Sequence, residues 1–126
     1  DELTYSEEEA QSIYRQLNGL TEREANVWIA PYSKIISMNH DVNDYDKYTK
    51  AKPIKIGDNS WIGASAILLA EVEIGAHTIV AAGAIVTKSF PEGNQVLGGN
   101  PAKVIRPIEE FISSYREKMK NFPDRF

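Results

Sequence analysis

No cysteine occurs in this 126-residue chain. Disulfide staples, thiolate metal ligation and a cysteine nucleophile are excluded together, and the composition suits a reducing, cytoplasmic setting. Histidine is nearly as scarce. His40 and His77 are the two present, too few for a three-histidine zinc hydratase site, so no metal is expected. No apolar run approaches the ~20 residues of a membrane span. The acidic opening, "DELTYSEEEA", lacks the character of a secretory signal. Positive charge is also short. At a net charge of −4, no global field draws the chain to nucleic acid or to an anionic membrane. Local Lys and Arg can still hold a small anionic ligand. The length fits one domain that buries about two-thirds of its unfolded surface.

Helical periodicity is confined to the two ends. "SEEEAQSIYRQLN", residues 6–18, predicts a helix capped by Ser6, with Glu9 three residues on and Ala10, Ile13, Tyr14 and Leu17 at helical spacing. Gly19 would end it. "PIEEFISSYREKMKNF", residues 107–122, predicts a second, with Pro107 at its start, Glu109 and Glu110 in its first turn and Lys118 and Lys120 in its last. Between them the period is six. Ile56, Ile62, Leu68, Ile74, Val80 and Val86 are each six apart, and so are Ile29 and Ile35 upstream. Gly57, Gly63 and Gly75 follow three of these residues. Ile54, Ser60, Ala66, Val72, Thr78 and Ala84 stand two before them. A short fixed period signals a solenoid. Each hexapeptide would form one flat face, its aliphatic residue pointing inward and its Gly fitting a tight turn. Three faces would close a triangular coil of about eighteen residues. An ordinary sheet of short strands accounts less well for six unbroken matches.

The run "PIKIGDNSWIGASAILLAEVEIGAHTIVAAGAIVTKSFPEGNQVLGGNPAKVIRPI", Pro53 to Ile108, resembles the C-terminal half of the hexapeptide-repeat acyltransferases. "WIG", "AAGAIVTK" and "GNPAKVIR" at these spacings are together specific. The branch is that of the maltose, galactoside and capsular or lipopolysaccharide sugar O-acetyltransferases, and "NHD" at Asn39 to Asp41 is similar to its catalytic histidine motif. The resemblance implies an all-β, left-handed parallel β-helix, a homotrimer with active sites between subunits, and acetyl-CoA as donor. The expected organisation is an N-terminal helical segment over residues 1–25, a β-helix over 26–106 with an extruded loop at 41–53, and a C-terminal helix over 107–126.

Acetyl transfer to a hydroxyl needs a base for the proton and donors for the developing oxyanion. His40 is the candidate base, because imidazole titrates near neutral pH. On the residues alone it is either that base or a loop histidine with no role; the resemblance favours the base. His77 falls at an outward repeat position and is expected to be a solvated surface residue. The stretch "DVNDYDKYTKAK", residues 41–52, breaks the period, and loops on rigid scaffolds carry function. Tyr45 and Tyr48 suit packing on a sugar or on pantetheine. Asp41 is a candidate to orient the imidazole. Asn39, Asp41, Tyr45 and Trp61 form the expected acceptor set. The resemblance places Trp61 at the acceptor and pantetheine site and gives the Ala64 N–H to the oxyanion. Small residues Gly63, Ala64, Ala82 and Gly83 would let pantetheine lie close. Thr87, Lys88, Lys103 and Arg106 match the positions that meet pantetheine and the nucleotide phosphates, where cations make charge-assisted bonds.

The chain departs from the family pattern in two places. Ala70-Glu71 replaces the usual Pro-Gly. Only residues 26–40 look like coil ahead of the loop, and the acceptor-binding Asp and Asn of the family have no counterpart there. An open coil edge needs cover, which the N-terminal helix could give. A sugar O-acetyltransferase is the leading reading. The alternatives are N-acetylation of an amino sugar, serine O-acetylation, or an inactive trimeric module.

Overall fold

In a computed structural model, residues 4–5, 22–23, 26–50 and 52–125 are described. The helix expected over residues 6–18 lies outside them. Twelve two-to-six-residue strands precede a longer return: β1 Thr4–Tyr5, β2 Glu22–Arg23, β3 Trp28–Ile29, β4 Lys34–Ile35, β5 His40–Asp41, β6 Asp44–Thr49, β7 Lys55–Ile56, β8 Trp61–Ile62, β9 Ile67–Leu68, β10 Glu73–Ile74, β11 Ile79–Val80 and β12 Ile85–Val86. Then come β13 Gln95–Gly98, β14 Lys103–Pro107 and α1 Ile108–Asn121.

The period of six becomes a three-faced parallel coil. Face one holds β2, β7 and β10; face two holds β3, β8, β11, β13 and β14; face three holds β4, β9 and β12. Ile74 pairs in register with Ile56, Val80 with Ile62 and Val86 with Leu68, each eighteen residues apart. Below them Arg23 pairs with Ile56, Ile29 with Ile62 and Ile35 with Leu68, now thirty-three residues apart. The fifteen-residue excess is the interruption that carries β5 and β6. Leu97 and Phe90 continue two of the columns at the top.

Each hexapeptide buries two positions. Ile56, Ile62, Leu68, Ile74, Val80 and Val86 are at most 1% exposed, and so are Ile54, Ser60, Ala66, Thr78 and Ala84, with Val72 at 2%. The small residues fill the corners beside the large ones, as a close-packed core requires. Inside this core the Thr78 hydroxyl donates to the Gly75 carbonyl at 2.8 Å and the Ser60 hydroxyl to the same oxygen at 3.3 Å. These bonds meet the cost of burying two polar side chains.

The glycines serve a different purpose from the expected one. Gly57, Gly63 and Gly75 are not in the left-handed region; a Cβ on Gly63 would lie 2.7 Å from both the Ala82 nitrogen and the Val80 oxygen. They let one coil's backbone lie against the next. The turn itself falls two residues later, where Asn26, Tyr32, Asn59, Ser65, Glu71, His77 and Gly83 all have φ between 53° and 73°. Asn and His are enriched there, so His77, half-buried with its N–H on the Asp58 carbonyl at 2.6 Å, is a corner residue of the scaffold. Glu71 bends the same way, so the Ala70-Glu71 substitution keeps the corner.

Among the described residues Glu22–Arg23, inside the stretch expected to be helical, already pairs with β7 of the coil; Arg23 stands six before Ile29 and hides the repeat from a search for aliphatic residues. At the other end, β14 runs back antiparallel on β13 after a cis Asn100–Pro101 bond. The C-terminal helix forms at Ile108–Asn121 with Glu109 and Glu110 in its first turn, Lys118 and Lys120 in its last, and Ile108 buried, charges that suit the helix dipole. No helix among the described residues is long and apolar enough to cross a membrane.

Two glycine substitutions should separate the two roles in a chemical denaturation experiment. Gly63→Ala is expected to cost at least ~3 kcal/mol, the upper end for overpacking, because backbone atoms block it. Gly83→Ala meets nothing within 4 Å and is expected to cost about 1–2 kcal/mol for its φ alone. Equal losses would contradict this account.

Candidate active site

The interruption leaves the coil after Ile36, whose N–H still bonds the Leu68 carbonyl at 2.9 Å, and rejoins it before Lys55, whose N–H bonds the Val72 carbonyl at 3.1 Å. It folds as a hairpin of β5 on β6, with β1 added along the far side of β6. Asn39 closes its base: the Asn39 carbonyl accepts from the Thr49 N–H at 2.8 Å and from the Thr49 hydroxyl at 3.2 Å. At its tip the Asp41 carboxylate accepts the Asn43 N–H at 2.8 Å and the Asp44 carboxylate the Asp46 N–H at 3.1 Å, the local side-chain bonds that make Asp a turn residue.

His40 is exposed on this hairpin, and its ring is held on two sides. Nδ1 lies 2.8 Å from the Tyr45 carbonyl oxygen. A carbonyl can only accept, so Nδ1 is the donor, and in the neutral imidazole this puts the lone pair on Nε2. The Tyr48 ring lies against the imidazole with centroids 4.5 Å apart and planes tilted by 31°; Tyr45 stands edge-on at 6.3 Å. The partner that meets His40 Nδ1 in the structure is the Tyr45 main chain, while the Asp41 carboxylate accepts the Asn43 N–H.

The remaining candidates divide between two edges of the prism. Trp61 projects from face two, and Gly63, Ala64, Ala82 and Gly83 form the edge between faces two and three, where the Gly83 N–H bonds the Ala64 carbonyl at 2.9 Å. Ala64, Ala82 and Gly83 are exposed. The Ala64 N–H has no partner among the described residues. Lys103 stands near the top of the same edge, at the start of β14 opposite Gly98. Thr87 and Lys88 lie on the edge between faces three and one, from which the His40 hairpin also springs two coils below. Lys88 is exposed, its ammonium 5.4 Å from the Phe90 ring centre. Arg106 departs from the set. It pairs with Val96 at the far end of β14, half-buried, its guanidinium 5.2 Å over the Phe111 ring of α1.

Sequence reading passed over Trp28. It lies directly below Trp61 in register, and the two indoles, 73% and 44% exposed, line an open depression of about 440 Å³. Its signal was present: Trp28 precedes Ile29 as Trp61 precedes Ile62.

Residues 53–88 match the family model for the bacterial transferase hexapeptide, six repeats. Over 89 residues the chain is 42% identical to a protein of Saccharomyces cerevisiae named "Putative acetyltransferase", covering 68% of this chain and 44% of that one. Among solved structures, a maltose O-acetyltransferase from Clostridium difficile 630 is 36% identical, with a TM-score of 0.60 over 65% of this chain and 45% of its own. A galactoside acetyltransferase in complex with coenzyme A is 37% identical, with a TM-score of 0.63 over 68% and 44%. The repeat segment therefore belongs to the hexapeptide-repeat transferase family, and its coil is the left-handed β-helix of those structures. The chain spans less than half the length of these relatives.

The chain's two tryptophans provide a check on the exposed face. With Trp61→Phe, the remaining Trp28 should be quenched by acrylamide more steeply than Trp61 is in Trp28→Phe. The reverse order would mean that Trp28 is covered in solution.

Proposed function

We propose that this chain is an acetyl-CoA-dependent O-acetyltransferase acting on a sugar or saccharide hydroxyl, with His40 as general base. The observation that carries the reading is the bond from His40 Nδ1 to the Tyr45 carbonyl on an exposed hairpin, which in the neutral ring puts the lone pair on Nε2. Its relatives of known structure include maltose and galactoside acetyltransferases, one of them with coenzyme A.

A long thin donor with an anionic end suits the residues present. The edge at Ala64, Ala82 and Gly83 is floored by small side chains, and a Cβ added at Gly83 would enter open space. Lys88 and Lys103 are exposed, and neither has an ion-pair partner among the described residues, so both are free for phosphate. Arg106 is the weaker candidate, being stacked on Phe111. The bound donor supplies a thioester carbonyl open to attack. Nε2 of His40 takes the hydroxyl proton as the acceptor oxygen forms its bond to carbon, and returns that proton to the departing sulfur as the C–S bond breaks. The unpartnered Ala64 N–H is the donor for the oxygen on which charge develops. Trp61 and Trp28 offer ring faces, and Asn39, Asp41 and Tyr45 border the base on the acceptor side.

The two edges give a reason for assembly. His40, Thr87 and Lys88 belong to one edge and Ala64, Ala82, Gly83 and Lys103 to the other, with face three between them. A neighbouring copy that lays its own edge alongside would unite the set, which supports a homotrimer with sites between subunits. A soluble, cytoplasmic enzyme fits the composition.

Release of coenzyme A should be followed with a thiol reagent, which meets no cysteine in this protein. The acceptor panel holds mono- and oligosaccharides, amino sugars and serine. Saccharide-dependent release that falls at least ~100-fold in His40→Ala is expected, the low end for a general base. Unchanged release in that variant would overturn the assignment, and release with serine or an amino sugar instead would reassign the acceptor. Co-expressing His40→Ala with Trp61→Ala, each inactive alone, should restore part of the activity in mixed assemblies. No recovery would place the site within one chain.

A further inference from the structure

We propose that Tyr48 is the positioning residue of this site, fixing the plane of the His40 imidazole and stabilising the positive charge that the ring takes up during transfer. The inference rests on the reading of His40 as the base and extends it to a residue outside the repeat. An imidazole on an exposed hairpin is free to turn about two side-chain bonds. One hydrogen bond, Nδ1 to the Tyr45 carbonyl, selects the tautomer but leaves the ring free to rock about that contact. The second constraint has to come from a surface, and Tyr48 supplies it at 4.5 Å with a 31° tilt. The pairing of β5 and β6 sets His40 opposite Tyr48, so the two rings meet on the same side of the hairpin, as cross-strand partners do.

Tyr48 is in turn the better anchored of the pair. It is half-buried where His40 is exposed. Its strand is the central one of three: β1 pairs with it on the side away from His40, with Tyr5 opposite Tyr48 and Thr4 opposite Thr49. The neighbouring Thr49 ties back to Asn39 through both its N–H and its hydroxyl. The ring that backs the base is thus held by main-chain bonds on both sides, while Tyr45, 73% exposed, contributes its carbonyl. When Nε2 receives a proton the imidazole becomes a cation lying over an aromatic face. That attraction strengthens between ground state and transition state, which is the condition for raising turnover.

Tyr48→Leu removes the aromatic face and keeps bulk; Tyr48→Phe keeps the face and removes the hydroxyl. Tyr48→Leu is expected to lower kcat roughly 3- to 30-fold with KM for the acceptor little changed, the span of a cation–π contact from exposed to desolvated. Tyr48→Phe should stay within about threefold of the unaltered chain. The second readout needs no turnover. With two histidines in the chain, ¹⁵N and ¹H imidazole signals are few enough to assign. In the unaltered protein and in Tyr48→Phe, His40 should show one tautomer and ring protons shifted by the overlying ring. In Tyr48→Leu that shift should vanish. A Tyr48→Leu protein with unchanged kcat and unchanged His40 signals would overturn the proposal. So would a lost shift with unchanged kcat, since the contact would then be structural only. Loss of activity in Tyr48→Phe equal to that in Tyr48→Leu would transfer the role to the hydroxyl and also refute it. If His40→Ala is itself fully active, the base assignment fails instead, and the two failures are told apart by that one control.

Discussion

Stacking of one coil on the next is the constraint on which everything else rests. Each strand of the repeat from β7 to β12 is two residues long, too short to be stable alone, and its partner is eighteen residues away, or thirty-three across the interruption. The chain meets this by repeating one solution. An aliphatic residue sits on its counterpart, a small residue fills the corner, and a glycine or other small residue lets the backbones close to ladder distance of about 4.8 Å. A left-handed corner then redirects the chain. Because every hexapeptide depends on its neighbours, a column such as Ile29, Ile62, Val80 and Leu97 stabilises all of its members together.

The same rigidity explains where chemistry can be placed. A coil whose inward positions are committed to packing has only outward positions and corners to offer, and those stand in straight rows. Rows suit a long ligand lying along an edge, which is the arrangement of Ala64, Ala82 and Gly83. They do not suit a base, which needs contacts from several directions. The hairpin supplies them. Fifteen residues beyond the coil's own spacing are enough for two paired strands and a tight turn, and the pairing brings a carbonyl and an aromatic ring to bear on one imidazole. The interruption is therefore the part of the chain where the scaffold can surround a side chain.

Much of this was legible in the sequence, for a physical reason. A period of six with buried aliphatics is a statement about packing, and packing is what the coil consists of. The inward columns, the interrupted loop and the C-terminal helix over residues 107–122 could all be read from it. What could not be read depended on contacts between distant residues. The glycines looked like turn residues, yet their necessity comes from atoms seventeen to nineteen positions away, such as those of Val80 and Ala82 beside Gly63. Arg23 hid one strand because a repeat search weighs side chains while the ladder joins main chains. Trp28 was overlooked although it precedes Ile29 as Trp61 precedes Ile62; its meaning appears when Trp61 lies above it. Asp41 looked like the orienter of His40 from its position in sequence. In the structure Nδ1 bonds the Tyr45 carbonyl, a main-chain group that no reading of side-chain types points to, and the Asp41 carboxylate meets the Asn43 N–H.

The division of the candidate residues between two edges bears on how such a short coil could work at all. A single copy offers His40 on one edge and the Ala64 N–H on another, and a triangular prism keeps its edges apart by construction. Lengthening the coil would not bring them together, since added turns extend the edges in parallel. Only a second surface can. A row of apolar side chains on face two, exposed Trp28 and Trp61 with half-buried Ile79 above them, runs beside the Ala64 edge, and removing such a row from water is favourable by roughly 25 cal/mol per Å². On the reading proposed above, burial of that face and completion of the site would be one event, a neighbour placed alongside. A scaffold that cannot fold its edges toward each other would, on that reading, gain an enclosed site by association, and the outward apolar face would become part of the means.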